Sequence, residues 1–139
     1  VNYLLSAQTL LDLCDRRPNL AKTWAQEVDT AALRVSVISV AEAQAEVDGV
    51  PDAQARARLD ANLNSLLSQL RADVGGPLEF HLEHASVWRA LIKDQTIRGL
   101  GYTDRQVYAT AMYEGLMVVE EASRHTPALR ALGVKIHDL

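Results

Sequence analysis

Few side chains in this sequence combine the right chemical type with a useful spacing, and each implies a different chemistry. His81-Leu82-Glu83-His84 offers two imidazoles and a carboxylate, but not at the spacing of a helical zinc site, so it reads as exposed polar residues at a strand–helix junction. Cys14 is the one cysteine, which excludes an internal disulfide and any cysteine metal cluster. It falls on the apolar face Leu10, Leu11, Leu13 and Cys14, as a small buried filler. Ser6 has no nearby His–acid pair to activate it, so it reads as a helix N-cap and not as a nucleophile.

The elements that would position these side chains alternate between strand and helix. Tyr3-Leu4-Leu5 reads as a buried strand, and a helix from Ala7 to Asp15 follows it directly. A second helix is expected over 20–28, a central strand over 33–38 and a helix over 39–47. Leu59, Leu63, Leu66, Leu67 and Leu70 recur at three- and four-residue intervals, which predicts one long amphipathic helix over 52–73. Leu78 to Leu82 alternates like a strand, and Thr103 reads as the cap of a helix over 104–114. Strands over 116–119 and 134–136, with a short helix over 127–132 between them, complete the chain. Trp24 and Trp88 sit on expected helices as packing residues. The pattern predicts a three-layer α/β/α sandwich with a mostly parallel central sheet, and residues 1–139 suffice for a single domain. Sites in such sheets lie beyond the carboxyl ends of the strands, here Leu5-Ser6, Ile38 to Glu42, Leu82 onward and Val119 to Ser123.

Three of these segments resemble the PIN domain family. YLLSAQTLLDL is similar to its opening, SVISVAEAQAEV to its second motif, and DRQVYATAMYEGLMVVEEASRH to its third, with helix, glycine and strand in register. The resemblance, which extends to the VapC toxins of bacterial toxin–antitoxin pairs, implies a metal-dependent ribonuclease. Phosphodiester hydrolysis there would need a water activated by Mg²⁺ or Mn²⁺ held by several converging carboxylates. Carried over residue by residue, the second-motif glutamate is Glu42 and the third-motif aspartate is Asp104. The first acid falls on Ser6, with the nearby asparagine on Gln8, and the fourth acid falls on Ala122. Two of four metal-binding acids are thus replaced, with Glu121 as a possible substitute beside Ala122. Gln8, Ser39 and Arg124 are expected in the same cleft, where helix N-termini and Arg124 would favour an anion.

The leading expectation is a PIN-like domain with a degenerate active site, inactive or weak as a nuclease, that retains a binding or regulatory role. The alternative is an active Mg²⁺- or Mn²⁺-dependent endoribonuclease using Glu42 and Asp104; without activity no cofactor is expected. A helix-dipole role for Asp104 and an arginine partner for Glu42 stand open beside relict ligation. By the same resemblance the partners would be a second copy of the chain, an antitoxin-type protein and RNA. DNA is not expected to bind directly.

No apolar run approaches membrane-spanning length. The start Val1 to Leu5 lacks the basic and apolar regions of a secretion signal, so a cytoplasmic location is expected. A net charge of −4 excludes a global positive field for nucleic acid. Arg16, Arg17 and Lys22 nevertheless cluster beside the first helix, while Arg56, Arg58, Arg98, Arg105 and Arg124 are scattered over expected helices and loops; all read as solvated surface, with a local phosphate track as the alternative.

Overall fold

The computed structural model describes residues 1–139. Four short strands, β1 (Tyr3–Leu5), β2 (Leu33–Val35), β3 (Met117–Glu120) and β4 (Ile136–Asp138), form one parallel sheet in the order β2-β1-β3-β4. Tyr3 lies opposite Leu33 on one side and Met117 on the other, so the first strand is central. The helices are α1 (Ala7–Cys14), α2 (Leu20–Ala25), α3 (Val37–Asp48), α4 (Ala53–Val74), α5 (Leu82–Lys93), α6 (Tyr102–Glu114) and α7 (Thr126–Ala131). No helix is long and apolar enough to cross a membrane.

Alternation along the strands divides the interior into two cores. Leu4 and Val118 point into one, with Leu91 of α5, Val107 and Ala111 of α6, and Leu129 of α7. Leu5 and Val119 point into the other, with Leu10 of α1, Val40 and Val47 of α3, and Leu63 and Leu70 of α4. The result is a three-layer α/β/α sandwich around an all-parallel sheet.

The expected strand over 33–38 stops at Val35 because Ser36 caps a helix, its hydroxyl accepting the Ile38 N–H at 3.1 Å. The expected strand over 78–82 reduces to one parallel bridge between Ser36 and Leu78. Pro77 has no N–H to extend the ladder, and the His81 N–H is taken by His84 Nδ1 at 2.9 Å, which starts α5. The last strand begins at Ile136, since the Val134 N–H is still committed to Leu129 O. Helix α6 starts at Tyr102 with Gly101 as its cap, so Thr103 lies inside the first turn with Asp104. Gly115 ends α6 in the left-handed conformation, φ 69°, which only glycine adopts without strain, and swings the chain into β3.

Arg105 is not solvated surface. It is 7% exposed, and its guanidinium donates to the carbonyls of Leu91 and Ile92 at 2.8 Å and of Ile97 and Leu100 at 3.2 Å. These bonds close the turn that connects α5 to α6.

Candidate functional site: an acidic hollow at the strand ends

Parallel strands put all their carboxyl ends on one edge of the sheet, and beyond β1 and β3 a hollow of about 560 Å³ opens among α1, α3 and α6. Ser6, Gln8 and Thr9 enter it from the start of α1, and Ser39 and Glu42 from α3. Asp104 and Tyr108 come from α6, and Glu120 and Glu121 from the end of β3. With Asp12 and Glu46 the lining carries six carboxylates and no lysine, arginine or histidine.

Ser6 is fully committed. Thr9 Oγ1 donates to Val119 O at 2.8 Å, so the Ser6 hydroxyl must donate to Thr9 Oγ1, 2.9 Å away, while its oxygen accepts the Thr9 N–H at 3.2 Å. The first turn of α1 is thereby tied to the central sheet through a neutral chain of hydroxyls. Neither a metal-binding charge nor an activating base is present at this position.

Asp104 is the electrostatic centre of the hollow. Burial raises the Glu42 carboxyl above its ordinary range and the negative charge of Asp104 adds to it, with the Thr103 side chain opposing. Burial also raises Glu120; the hydrogen bond from Tyr108 opposes that rise and Asp104 adds to it. Tyr108, buried and facing Glu120, is pushed far above the ordinary range and stays a neutral donor, its hydroxyl 2.9 Å from both Glu120 oxygens.

Glu120 was not legible as a site residue. The register of the third motif assigns the acid two positions later, to Ala122, whose N–H instead donates to Asp138 Oδ1 at 3.0 Å outside the hollow. The available signal was Tyr108, one helical turn after Asp104 and on the same face. Arg124 does not enter the hollow either: its Nε donates to His125 Nε2 at 3.3 Å and its guanidinium lies against Gly99. The lining is therefore set up to repel anions, contrary to the expectation from Arg124. His84, 1% exposed, caps α5 through Nδ1 and pairs through Nε2 with Glu114 Oε1 at 2.9 Å, so the His81–His84 run serves the α5–α6 packing.

Carboxylate oxygens are the right chemistry for Mg²⁺ or Mn²⁺, yet no three His, Cys, Asp or Glu side chains gather closely enough to ligate one ion. Ser6 brings no charge, and the Tyr108 hydroxyl holds the Glu120 carboxylate against α6. The residues present do not fit a resident divalent ion.

A β2-β1-β3-β4 parallel sheet between two helical layers is a PIN-like fold, the one seen in VapC toxin structures. No family model and no curated protein matches the sequence. Solved structures do. The chain is similar to FitAcB from Neisseria gonorrhoeae, at 21% identity over 98% of this chain and 96% of that one, with a TM-score of 0.78. It is also similar to VapBC2 from Rickettsia felis bound to a DNA fragment from its promoter, at 14% identity over 100% and 99% of the two chains, TM-score 0.73. Mycobacterium tuberculosis VapC20, a Sarcin-Ricin loop cleaving toxin, aligns at 13% identity over 96% of each chain, TM-score 0.66.

Proposed function

We propose that residues 1–139 act as one PIN-like domain, the toxin-like member of a cytoplasmic two-protein system, with a nuclease centre that is weak or silent. It pairs with a second copy of itself and with an antitoxin-type protein, and it works by binding. The observation that carries this reading is the neutral first turn of α1: Ser6 spends its hydroxyl on Thr9, and Glu42 and Asp104 are left without a set of three ligands. The complexes among similar structures, VapBC2 of Rickettsia felis included, support the protein partner.

The test is incubation of the purified protein with Mn²⁺ and RNA, alongside the Asp104→Asn variant. The expected outcome is no turnover in either. Robust cleavage by the natural chain, abolished by Asp104→Asn, overturns the reading.

One observation favours the active alternative. Glu120 brings a third carboxylate into electrostatic contact with Asp104, which also acts on Glu42. That reading requires turnover lost in Glu42→Gln and Asp104→Asn alike, with heat of Mn²⁺ binding at sub-millimolar concentration.

A further inference from the structure

A second hollow, of about 270 Å³, lies at the opposite end of α1 and is framed by Asp15, Arg16, Arg17, Arg58 and Leu59. Its three arginines come from two distant stretches of chain, brought together by specific bonds. Asn62 Nδ2 donates to Cys14 O at 3.0 Å, which pins α4 against the last turn of α1. Arg58 is one turn before Asn62 on the same helix face, and so lies beside the end of α1. Asn19 Nδ2 donates to Asp12 O at 2.7 Å, folding the segment that carries Arg16 and Arg17 back onto that helix.

Within this hollow one charge is neutralised and the others are not. Asp15 accepts from Arg17 Nη2 at 2.9 Å, while neither Arg16 nor Arg58 makes an ion pair. The Lys22 charge also favours the ionised Asp15 carboxyl, after the larger effect of Arg17. A chain of net charge −4 thus concentrates unpaired guanidinium groups around one concavity.

We propose that Arg16 and Arg58, the two unpaired guanidinium groups of this hollow, form a binding site for phosphate groups, presented by a nucleic-acid strand or a free nucleotide. A carboxylate has two oxygens in a plane and is satisfied by one guanidinium fork, as Asp15 is by Arg17. Two unpaired guanidinium groups brought to one hollow from separate stretches of chain suit an anion with more acceptor oxygens spread in three dimensions, which is the geometry of phosphate. The site stands apart from the acidic hollow and does not depend on the reading given above for that hollow.

The test is fluorescence anisotropy of a short labelled oligouridylate across a salt series, with the natural chain, Arg16→Gln/Arg58→Gln, and Arg89→Gln/Lys135→Gln. The last variant removes the same charge elsewhere on the surface. The first double variant is expected to bind more weakly and to flatten the log–log salt slope by about 1.4, two contacts at roughly 0.7 each on a single strand. The Arg89/Lys135 variant is expected to retain the natural slope. Arg16→Lys/Arg58→Lys, which keeps the charge but not the fork, is expected to fall between, and serves if the glutamine variant fails to fold.

Competition with inorganic phosphate and uridine monophosphate identifies the source: displacement by the nucleotide at comparable concentration points to a free nucleotide, its failure to a strand. Equal slopes in both glutamine variants, or displacement of the RNA by polyglutamate as readily as by phosphate, overturn the proposal.

Discussion

The Tyr108 hydroxyl sits 2.9 Å from each oxygen of Glu120, joining the middle of α6 to the end of β3 across the acidic hollow. The bond lowers a carboxyl that burial raises, so it favours the charged form of Glu120 beside Asp104. Tyr108→Phe is expected to raise the Glu120 pKa further and to cost about 1–3 kcal/mol at neutral pH, the penalty for stranding a half-buried acceptor. Urea unfolding measures the loss. Unchanged stability in Tyr108→Phe would mean that solvent already satisfies Glu120.

Glu42 and Glu120 both have raised folded-state values, with burial as the larger cause and Asp104 as an additional one. An acid held above its unfolded pKa binds its proton more tightly when folded. Its stabilising contribution is complete below the unfolded value and is lost as pH rises through the folded one. Glu42→Gln and Glu120→Gln are therefore expected to raise the thermal midpoint at pH 7 and to leave it unchanged below about pH 4. Melting curves at the two pH values decide the sign.

Ser6→Asp restores a carboxylate to the hollow and keeps an N-cap acceptor for Thr9 N–H. Without metal the added charge faces Glu42 and Asp104 and is expected to destabilise by about 1–4 kcal/mol. Millimolar Mn²⁺ should recover that loss in Ser6→Asp and leave the natural chain unshifted, as read by differential scanning fluorimetry. A Mn²⁺-induced rise in the natural chain contradicts the finding that its donors do not fit the ion.

Cys14 is buried in the α1–α4 core, and burial pushes its thiol up to about 11. At pH 8 almost no thiolate is present, so an aromatic disulfide reagent is expected to label Cys14 only as fast as the protein opens. Immediate stoichiometric labelling of the folded chain refutes this.

Arg105 donates to four backbone carbonyls around the α5–α6 connection. Arg105→Met strands those carbonyls and is expected to cost about 3 kcal/mol or more, visible as a lower urea midpoint. Arg105→Lys should rescue little, because an ammonium cannot span all four acceptors.

Much of the fold was legible in the sequence. The leucine spacing from Leu59 to Leu70 led directly to α4, because burial on one face imposes that period, and Leu63 and Leu70 are its buried members. Apolar character alone does not separate strand from helix, which is why residues 36–38 read as strand although Ser36 held a capping signal. Glu42 and Asp104 stood out through motif register, whereas Glu120 required knowing which way the last residue of β3 points. Arg105 and Arg58 were missed for one reason. A charge on a helix reads as solvent-facing until tertiary packing shows that it reaches carbonyls, or meets arginines more than forty positions away.

β1 takes hydrogen-bonded neighbours on both sides, and one of them, β3, follows it by more than a hundred positions. During synthesis β1 must therefore wait, one edge bare, until the chain has emerged through β3. Any nascent fragment ending before Met117 carries that open edge, so chaperone engagement and premature proteolysis are expected to concentrate on incomplete chains. Closure of the sheet centre is the late, committing event.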